Sequence, residues 1–267
     1  MRFGVLTLGG AYNGFLEVAE TIHYGLVSLG HDCVLTKRWT ADRRIIVLGP
    51  NYIPLLGVMP PAGTILYNLE QVYEGSEFFT PTTVAIFRQY PVLDYNRRNI
   101  ERLAQMRVRA RLLPIGYVPE LTRIEPVREE DVDVLFYGLL TDRRRAAIDA
   151  LRARGLHVET LNGVFGRARD AWIARSKVVL NLLSTSDIFQ SVRVAYLLAN
   201  RRAVVSERGD GHEDFLDAVE FADYDELADR CVELVRDDEA RKRLAARGFE
   251  VMSGRSEREY LKALFLP

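Results

Sequence analysis

Two short glycine loops carry the clearest chemical signal in the chain. Gly9-Gly10-Ala11-Tyr12-Asn13-Gly14 and Gly138-Leu139-Leu140-Thr141-Asp142-Arg143-Arg144 each follow an apolar run that reads as a strand. A loop that leads from a strand into a helix presents free main-chain amides, and such amides bind anions, phosphate above all. In the second loop Thr141 or Asp142 can cap the following helix, while Arg143, Arg144 and Arg145 put guanidinium groups beside its positive end, which suits a diphosphate. A solvated, well-capped helix start explains the same residues without a ligand. A third polar loop, from Ser184 through Asp187 and Gln190 to Ser191, lies between two apolar elements and again ends on a helix start. Neither glycine loop has the G-x-G-x-x-G spacing, and no G-x-x-x-x-G-K-[ST] string occurs, so dinucleotide and P-loop chemistry lose their usual support.

Proton transfer needs a carboxylate or an imidazole near the reacting atoms. Glu70, in Asn68-Leu69-Glu70-Gln71, follows a strand and falls at a carboxyl end, where catalytic groups of parallel sheets collect. Glu17 is the second candidate, in the early turns of the helix after the first glycine loop. His23 reads as a packed helix residue, His31 as a surface turn and His157 as a strand start. The four histidines have no metal-ligand spacing. Asp131-Val132-Asp133 spells Asp-x-Asp but enters its strand at the wrong end of a sheet, and so reads as a charged strand entry. No metal site and no cofactor are expected.

These loops need a scaffold, and the rest of the chain supplies an alternating pattern of strands and helices, the mark of parallel sheets covered by helices. In the first half strands are expected at 3–8, 33–36, 45–48, 64–67, 84–87 and 111–113, with helices at 14–29 and 95–105. Pro114, Gly116 and Pro119 interrupt the pattern and place a junction near 115–130. A second cycle begins at Val132 and ends on Gly138. Strands follow at 157–161, 177–182, 203–206 and 219–222, with helices at 143–154, 165–175, 191–198, 225–236 and 238–252. A terminal helix from Ser256 to Phe265 is expected to pack back on the first half. The predicted domains are therefore 1–120, 121–255 and a 256–267 helical tail.

The 267 residues carry 36 basic and 37 acidic side chains, a net charge of −1, and this balance argues against a nucleic-acid partner. Apolar runs are far too short to span a bilayer. The first residues enter a strand at once, and Cys33 and Cys231 suit neither a disulfide framework nor a thiolate metal site, so a cytoplasmic location is expected. One local run stands out: Arg97, Arg98, Arg102, Arg107, Arg109 and Arg111, opposed only by Glu101. It reads as a solvated face or as a patch for an anionic partner.

Residues 131–255 resemble the C-terminal, nucleotide-sugar-binding domain of glycosyltransferases of the type-B fold. The resemblance rests on Val134 to Gly138, Thr160-Leu-Asn-Gly-Val164, Ala174 to Leu182, Asp187 to Asn200, Ala203 to Ser206 and Phe221 to Ala228. It implies an α/β protein of two facing Rossmann-like domains, and a metal-independent transferase that moves a hexosyl or related group from a nucleotide-sugar donor to an unidentified acceptor. Gly138, Thr141, Asp142, Arg144 and Ser184 would then lie on the donor side. The Asn162, Gly163 and Val164 backbone would border the base, and the Ser191 and Val192 amides would face the diphosphate. The family's glutamate pair, separated by seven residues, falls on Asp187 and Ala195. Alanine cannot hold a ribose hydroxyl, which leaves that recognition to Gln190 or Arg193, to a different donor pose, or to a domain without turnover. Gly9, Gly10, Tyr12 and Asn13, with His212 from the loop at 209–214, would lie on the acceptor side or in a cleft. Two other readings stay open: a degenerate transferase-like protein that binds a nucleotide or partner, and a sugar-nucleotide epimerase.

Overall fold

The computed structural model describes residues 1–9, 14–57, 59–183 and 187–265. The chain forms two α/β units: Met1–Val118 together with Ser256–Pro267, and Pro119–Arg255.

Unit 1 is built on a six-stranded sheet. Its elements in chain order are β1 (Arg2–Thr7), α1 (Leu16–Ser28), β2 (Asp32–Thr36), β3 (Arg44–Leu48), α2 (Ile53–Leu56), β4 (Ile65–Asn68), α3 (Pro81–Phe87), β5 (Val92–Asp94), α4 (Arg97–Gln105) and β6 (Ala110–Leu112). The strands run parallel in the order β2-β1-β3-β4-β5-β6. Strands covered on both faces become continuous apolar runs rather than alternating ones, and Ile45 to Leu48 and Ile65 to Tyr67 are buried throughout. The core packs Leu6, Val47 and Leu66 of the sheet against Ile53, Val84, Phe87 and Leu103 of the helices.

The expected strand at 84–87 is instead α3. Thr80 is its N-cap, accepting the Thr83 amide through Oγ1, and Pro81 occupies the first turn. Proline after a hydroxyl cap is a helix-start signal, and here it outweighs the β-branched run Val84-Ala85-Ile86. The fifth strand is Val92–Asp94, which the sequence pattern had not marked.

Unit 2 continues with β7 (Val132–Tyr137), α5 (Asp142–Ala153), β8 (Val158–Leu161), α6 (Gly166–Ala174), β9 (Ser176–Asn181), α7 (Ser191–Ala199), β10 (Ala203–Glu207), β11 (Glu220–Ala222), α8 (Leu227–Arg236) and α9 (Asp238–Ser253). Its five parallel strands take the order β11-β10-β9-β7-β8. In each unit the first strand lies between the second and the third, so the chain reverses direction across the sheet there. Such a reversal opens a crevice beyond the strand carboxyl ends.

The last helix, α10 (Glu257–Phe265), belongs to unit 1 and packs on α1. Gly25 permits the contact, since a Cβ there would sit 2.7 Å from Leu261 Cδ1 and 2.9 Å from Glu257 Cγ. Glu257 is buried, and its Oε2 accepts the Gly116 amide at 2.9 Å. Burial pushes its carboxyl up to about 8. A carboxyl with a raised pKa in the folded state stabilises the fold below its ordinary pKa and loses that contribution as the pH rises through the raised value. Unfolding free energy is therefore expected to fall between pH values of about 4.5 and about 8. Glu257→Gln, which keeps an oxygen for Gly116, should flatten that slope when urea midpoints are measured across the range, although Glu70 and Asp94 contribute in the same direction.

Candidate functional site

The crevice of unit 2 opens between β7 and β9. At its edge Gly138 ends β7 and donates its amide to the Leu161 carbonyl at 2.9 Å, tying that strand end to the end of β8. Gly138 has φ +135°, and a Cβ there would lie 2.8 Å from Nη2 of Arg193. Glycine thus lets a guanidinium approach the main chain.

Four elements converge at this end of the sheet. The 162–164 turn follows β8, the 138–142 loop enters α5, Leu182 and Leu183 follow β9, and Glu207 ends β10. The donor-side residues expected from the sequence lie on these segments, just before α7 or in the first turns of α5 and α7, except Ser184, which falls outside the described residues, as do Gly10, Tyr12 and Asn13 on the other unit. Thr141 caps α5, its hydroxyl facing the Arg144 amide, while Asp142 is exposed in the first turn. Asp187, Asn162 and Gly163 are exposed; Val164, Gln190 and Val192 are half-buried. Ser191 begins α7 with no side chain capping the helix.

The arginines differ from expectation. Arg144 does not face outward toward a diphosphate: it is buried and donates through Nη1 to Leu139 O at 2.8 Å, Nη2 to Leu182 O at 2.8 Å and Nε to Leu183 O at 3.1 Å. Those carbonyls sit on both lips of the crevice, where the strands diverge and cannot satisfy each other, so Arg144 is a structural clamp. Burial and the neighbouring Arg193 lower it to about 10, so it stays charged. Arg143 pairs with the buried Glu207, which also accepts the Leu183 amide at 2.8 Å, and stacks over Tyr224 at 4.0 Å. Neither Glu207 nor the clamping role was visible in the sequence, because the partners lie far away in the chain: Leu182 is 38 positions from Arg144 and Glu207 is 64 from Arg143.

Arg193 is left as the cation of the crevice. Its Nη1 donates to Asn181 Oδ1 at 3.1 Å, and its guanidinium lies over the rings of Phe136 and Tyr137, 5.6 and 5.0 Å from their centroids. Asn181 is held by Ser206, whose Oγ accepts its amide at 2.8 Å. Burial depresses the Arg193 pKa, and among the described residues no carboxylate pairs with it. With Arg143 neutralised by Glu207, Arg144 and Arg193 leave two positive charges at one strand terminus. Ala195 is buried in α7 and presents no polar group. His212 is engaged within its own loop, with Nδ1 at 2.7 Å from Gly209 O and its ring against Phe221.

Unit 1 has its own crevice at β1 and β3. Gly9, with φ +103°, packs over Tyr52, whose ring would lie 2.7 Å from an added Cβ. Beside it, a buried network fixes Glu70. Asn68 Nδ2 donates to Asp94 and to Glu70 O, Asn99 Nδ2 donates to both as well, and the Glu70 amide returns to Asn68 Oδ1 at 3.2 Å. Burial, with some help from Glu77, pushes the Glu70 carboxyl up to about 7. Asp94 is likewise raised to about 7 by burial, against the hydrogen bonds it accepts. Glu17 is buried in the first turn of α1. The arginine run is divided: Arg98 pairs with Glu101 and Arg102 donates to Val72 O at 2.6 Å, whereas Arg97, Arg107, Arg109 and Arg111 are exposed. Among the described residues no cluster of His, Cys, Asp or Glu is suited to a metal ion, and no helix is long and apolar enough to cross a membrane.

The clamp predicts a stability effect. Arg144→Ala would strand the buried carbonyls of Leu182 and Leu183, and about 3 kcal/mol of unfolding free energy is expected to be lost, read from the urea midpoint. Arg193→Gln should cost much less.

Residues 124–259 match a family described as glycosyl transferase-like. An uncharacterized protein of Acanthamoeba polyphaga mimivirus, L140, is 26% identical over 189 residues, 64% of this chain and 59% of its own length, so the chain spans under two thirds of that relative. Solved structures share the fold along the whole chain. AviGT4, a glycosyltransferase involved in avilamycin A biosynthesis, superimposes with a TM-score of 0.55 at 15% identity, covering 100% of this chain and 99% of its own. The α,α-trehalose 6-phosphate synthase of Burkholderia multivorans gives 0.61 at 10% identity, with 98% and 97% covered. An α-glucosyltransferase described in complex with UDP gives 0.56 at 8% identity, with 99% and 98% covered. The two α/β units thus form the type-B fold of glycosyltransferases, and with the match running through the β7–β9 crevice and the whole of α7, this chain belongs to the glycosyl transferase-like family.

Proposed function

We propose that the chain transfers a sugar from a nucleotide-sugar donor whose diphosphate binds in the β7–β9 crevice of unit 2. The observation that carries this reading is the surplus of positive charge there: Arg193 has no carboxylate partner among the described residues, and Arg144 beside it donates to carbonyls, while the nearby Glu207 is already paired with Arg143. Arg144 is buried and Arg193 half-buried, and a desolvated cation is costly without a counter-charge. A diphosphate supplies one, with the Val192 amide at the start of α7 as a further donor, whereas the expected Ser191 amide is already bonded to Phe189 O at 3.0 Å. In transfer, the acceptor oxygen attacks the anomeric carbon, the bond from that carbon to the diphosphate oxygen breaks, and the electron pair leaves with the nucleoside diphosphate. Arg193 stabilises the developing charge, so the reading requires no metal ion.

The acceptor hydroxyl must lose a proton, and on unit 1 Glu70 is the group best suited to take it. Its carboxyl lies near pH 7 and its backbone is fixed by Asn68 and Asn99. One observation favours a second reading, a nucleotide-binding protein without turnover: the buried Ala195 leaves no side chain at that position for the ribose.

Thermal stability against a panel of nucleoside diphosphates, beginning with UDP, tests the donor site. A ligand at a hundred times its dissociation constant adds about 2.7 kcal/mol, and Arg193→Gln should abolish the shift. No shift with any nucleotide would overturn the donor site. Release of nucleoside diphosphate from a nucleotide sugar, with mass gain in an acceptor, separates transfer from binding alone and from epimerisation. If transfer occurs, kcat/KM should rise with pH and level off above about 7, and Glu70→Gln should lower kcat by roughly 10²–10⁴-fold.

A further inference from the structure

At the opposite end of the unit 2 sheet, where β9 and β10 begin, lies a pocket of about 530 Å³ lined by Ser176, Lys177 and Ala203 of the strand starts and by side chains from the 127–130 segment, the α7–β10 turn and α9. Six cations reach its wall, namely Arg128, Lys177, Arg201, Arg202, Arg241 and Lys242, against the carboxylates of Glu129, Glu130 and Asp238. The volume falls in the small-molecule range, roughly 300–1,000 Å³.

Three of the cations are already engaged. Lys177 pairs with Asp133 at 2.8 Å, Lys242 with Glu239 at 3.2 Å, and Arg241 with Asp238 and the carbonyls of Leu234 and Val235. Of the other three, Arg128 and Arg201 are exposed and only Arg202 is buried. Arg202 is 8% exposed, and its Nε is buried without a hydrogen-bond partner. Its Nη1 reaches only the Ala174 carbonyl at 3.3 Å and, loosely, Glu130 at 3.6 Å. Arg128 and Arg201 have no carboxylate partner among the described residues. Arg201 also occupies a left-handed position, φ +54°, at the end of α7, where glycine is favoured, and its guanidinium stacks 3.5 Å from the Phe249 ring centroid.

A buried guanidinium with an idle N–H normally finds an acceptor, and a forked pair of N–H groups matches two oxygens of one phosphate. We propose that this pocket binds the phosphate group of a small molecule, free or esterified, with Arg202 as the buried contact and Arg128 and Arg201 as outer contacts. The site is separate from the nucleotide crevice, because β9 runs from Ser176 in the pocket wall to Asn181 beneath Arg193. It therefore stands independently of the donor reading.

Calorimetric titration of the full chain with inorganic phosphate and with glycerol 3-phosphate, in buffer free of other oxyanions, tests it. Saturable binding is expected, weakened about tenfold by Arg202→Gln and unaffected by Arg193→Gln. Arg201→Gly removes a cation while suiting the left-handed turn, so it reports on binding even if Arg202→Gln unfolds the protein, and it should weaken both ligands. Tighter binding of the ester than of phosphate would identify an esterified ligand, and equal binding would identify free phosphate. Absence of saturable binding by either probe overturns the site, as does binding that Arg193→Gln abolishes and Arg201→Gly leaves intact.

Discussion

Parallel strands that part at a chain reversal leave main-chain carbonyls facing a gap, and unit 2 closes that gap with one guanidinium. Arg144 reaches Leu139 on one lip and Leu182 and Leu183 on the other, holding the ends of the two loops at a fixed separation. The Leu182 and Leu183 carbonyls would otherwise be buried acceptors without this donor, a cost of about 1–3 kcal/mol each. Arg144 and Arg193 both lie over the Phe136 ring, so the brace and the second cation share the end of β7. A cation placed there is also a fixed positive charge, so the clamp contributes electrostatically to whatever the crevice holds.

The neighbouring arginines show how partners, rather than residue type, decide a role. Arg143 is neutralised by Glu207, and that carboxylate holds the Leu183 amide as well, so the ion pair is part of the same brace. Arg193 is oriented by Asn181, itself held by Ser206, and sandwiched toward Phe136 and Tyr137. Its charge is positioned without being cancelled, which is the condition for a preorganised anion site. At the far end of the same sheet Arg202 is under-bonded, with the Ala174 carbonyl at 3.3 Å and Glu130 at 3.6 Å as its partners and its Nε left without one.

Unit 1 handles a carboxylate instead. Asn68 and Asn99 bridge the ends of β4 and β5, binding Asp94 between them and pinning the Glu70 main chain. The network satisfies the polar groups, yet burial still raises both acids to about 7. For Asp94 desolvation outweighs the hydrogen bonds it accepts, whereas for Glu70 burial and the nearby Glu77 act in the same direction.

The amino-acid sequence alone determined the alternation of buried strands and helices, the return of a glycine at Gly138 after the second first strand, and the collection of Glu70 and the 162–191 loops at strand carboxyl ends. These are local signals, fixed by residue period and by the glycine and proline positions. The sequence misjudged 84–87, where a cap at Thr80 and Pro81 overrode a β-branched run. It could not distinguish Arg143, Arg144 and Arg193, since three identical side chains carry no mark of the acceptors they meet. Only the tertiary structure decided which cation clamps, which is neutralised and which stays available, because the deciding atoms, Leu182 O, Glu207 and Asn181, reach those arginines through strand pairing and helix packing.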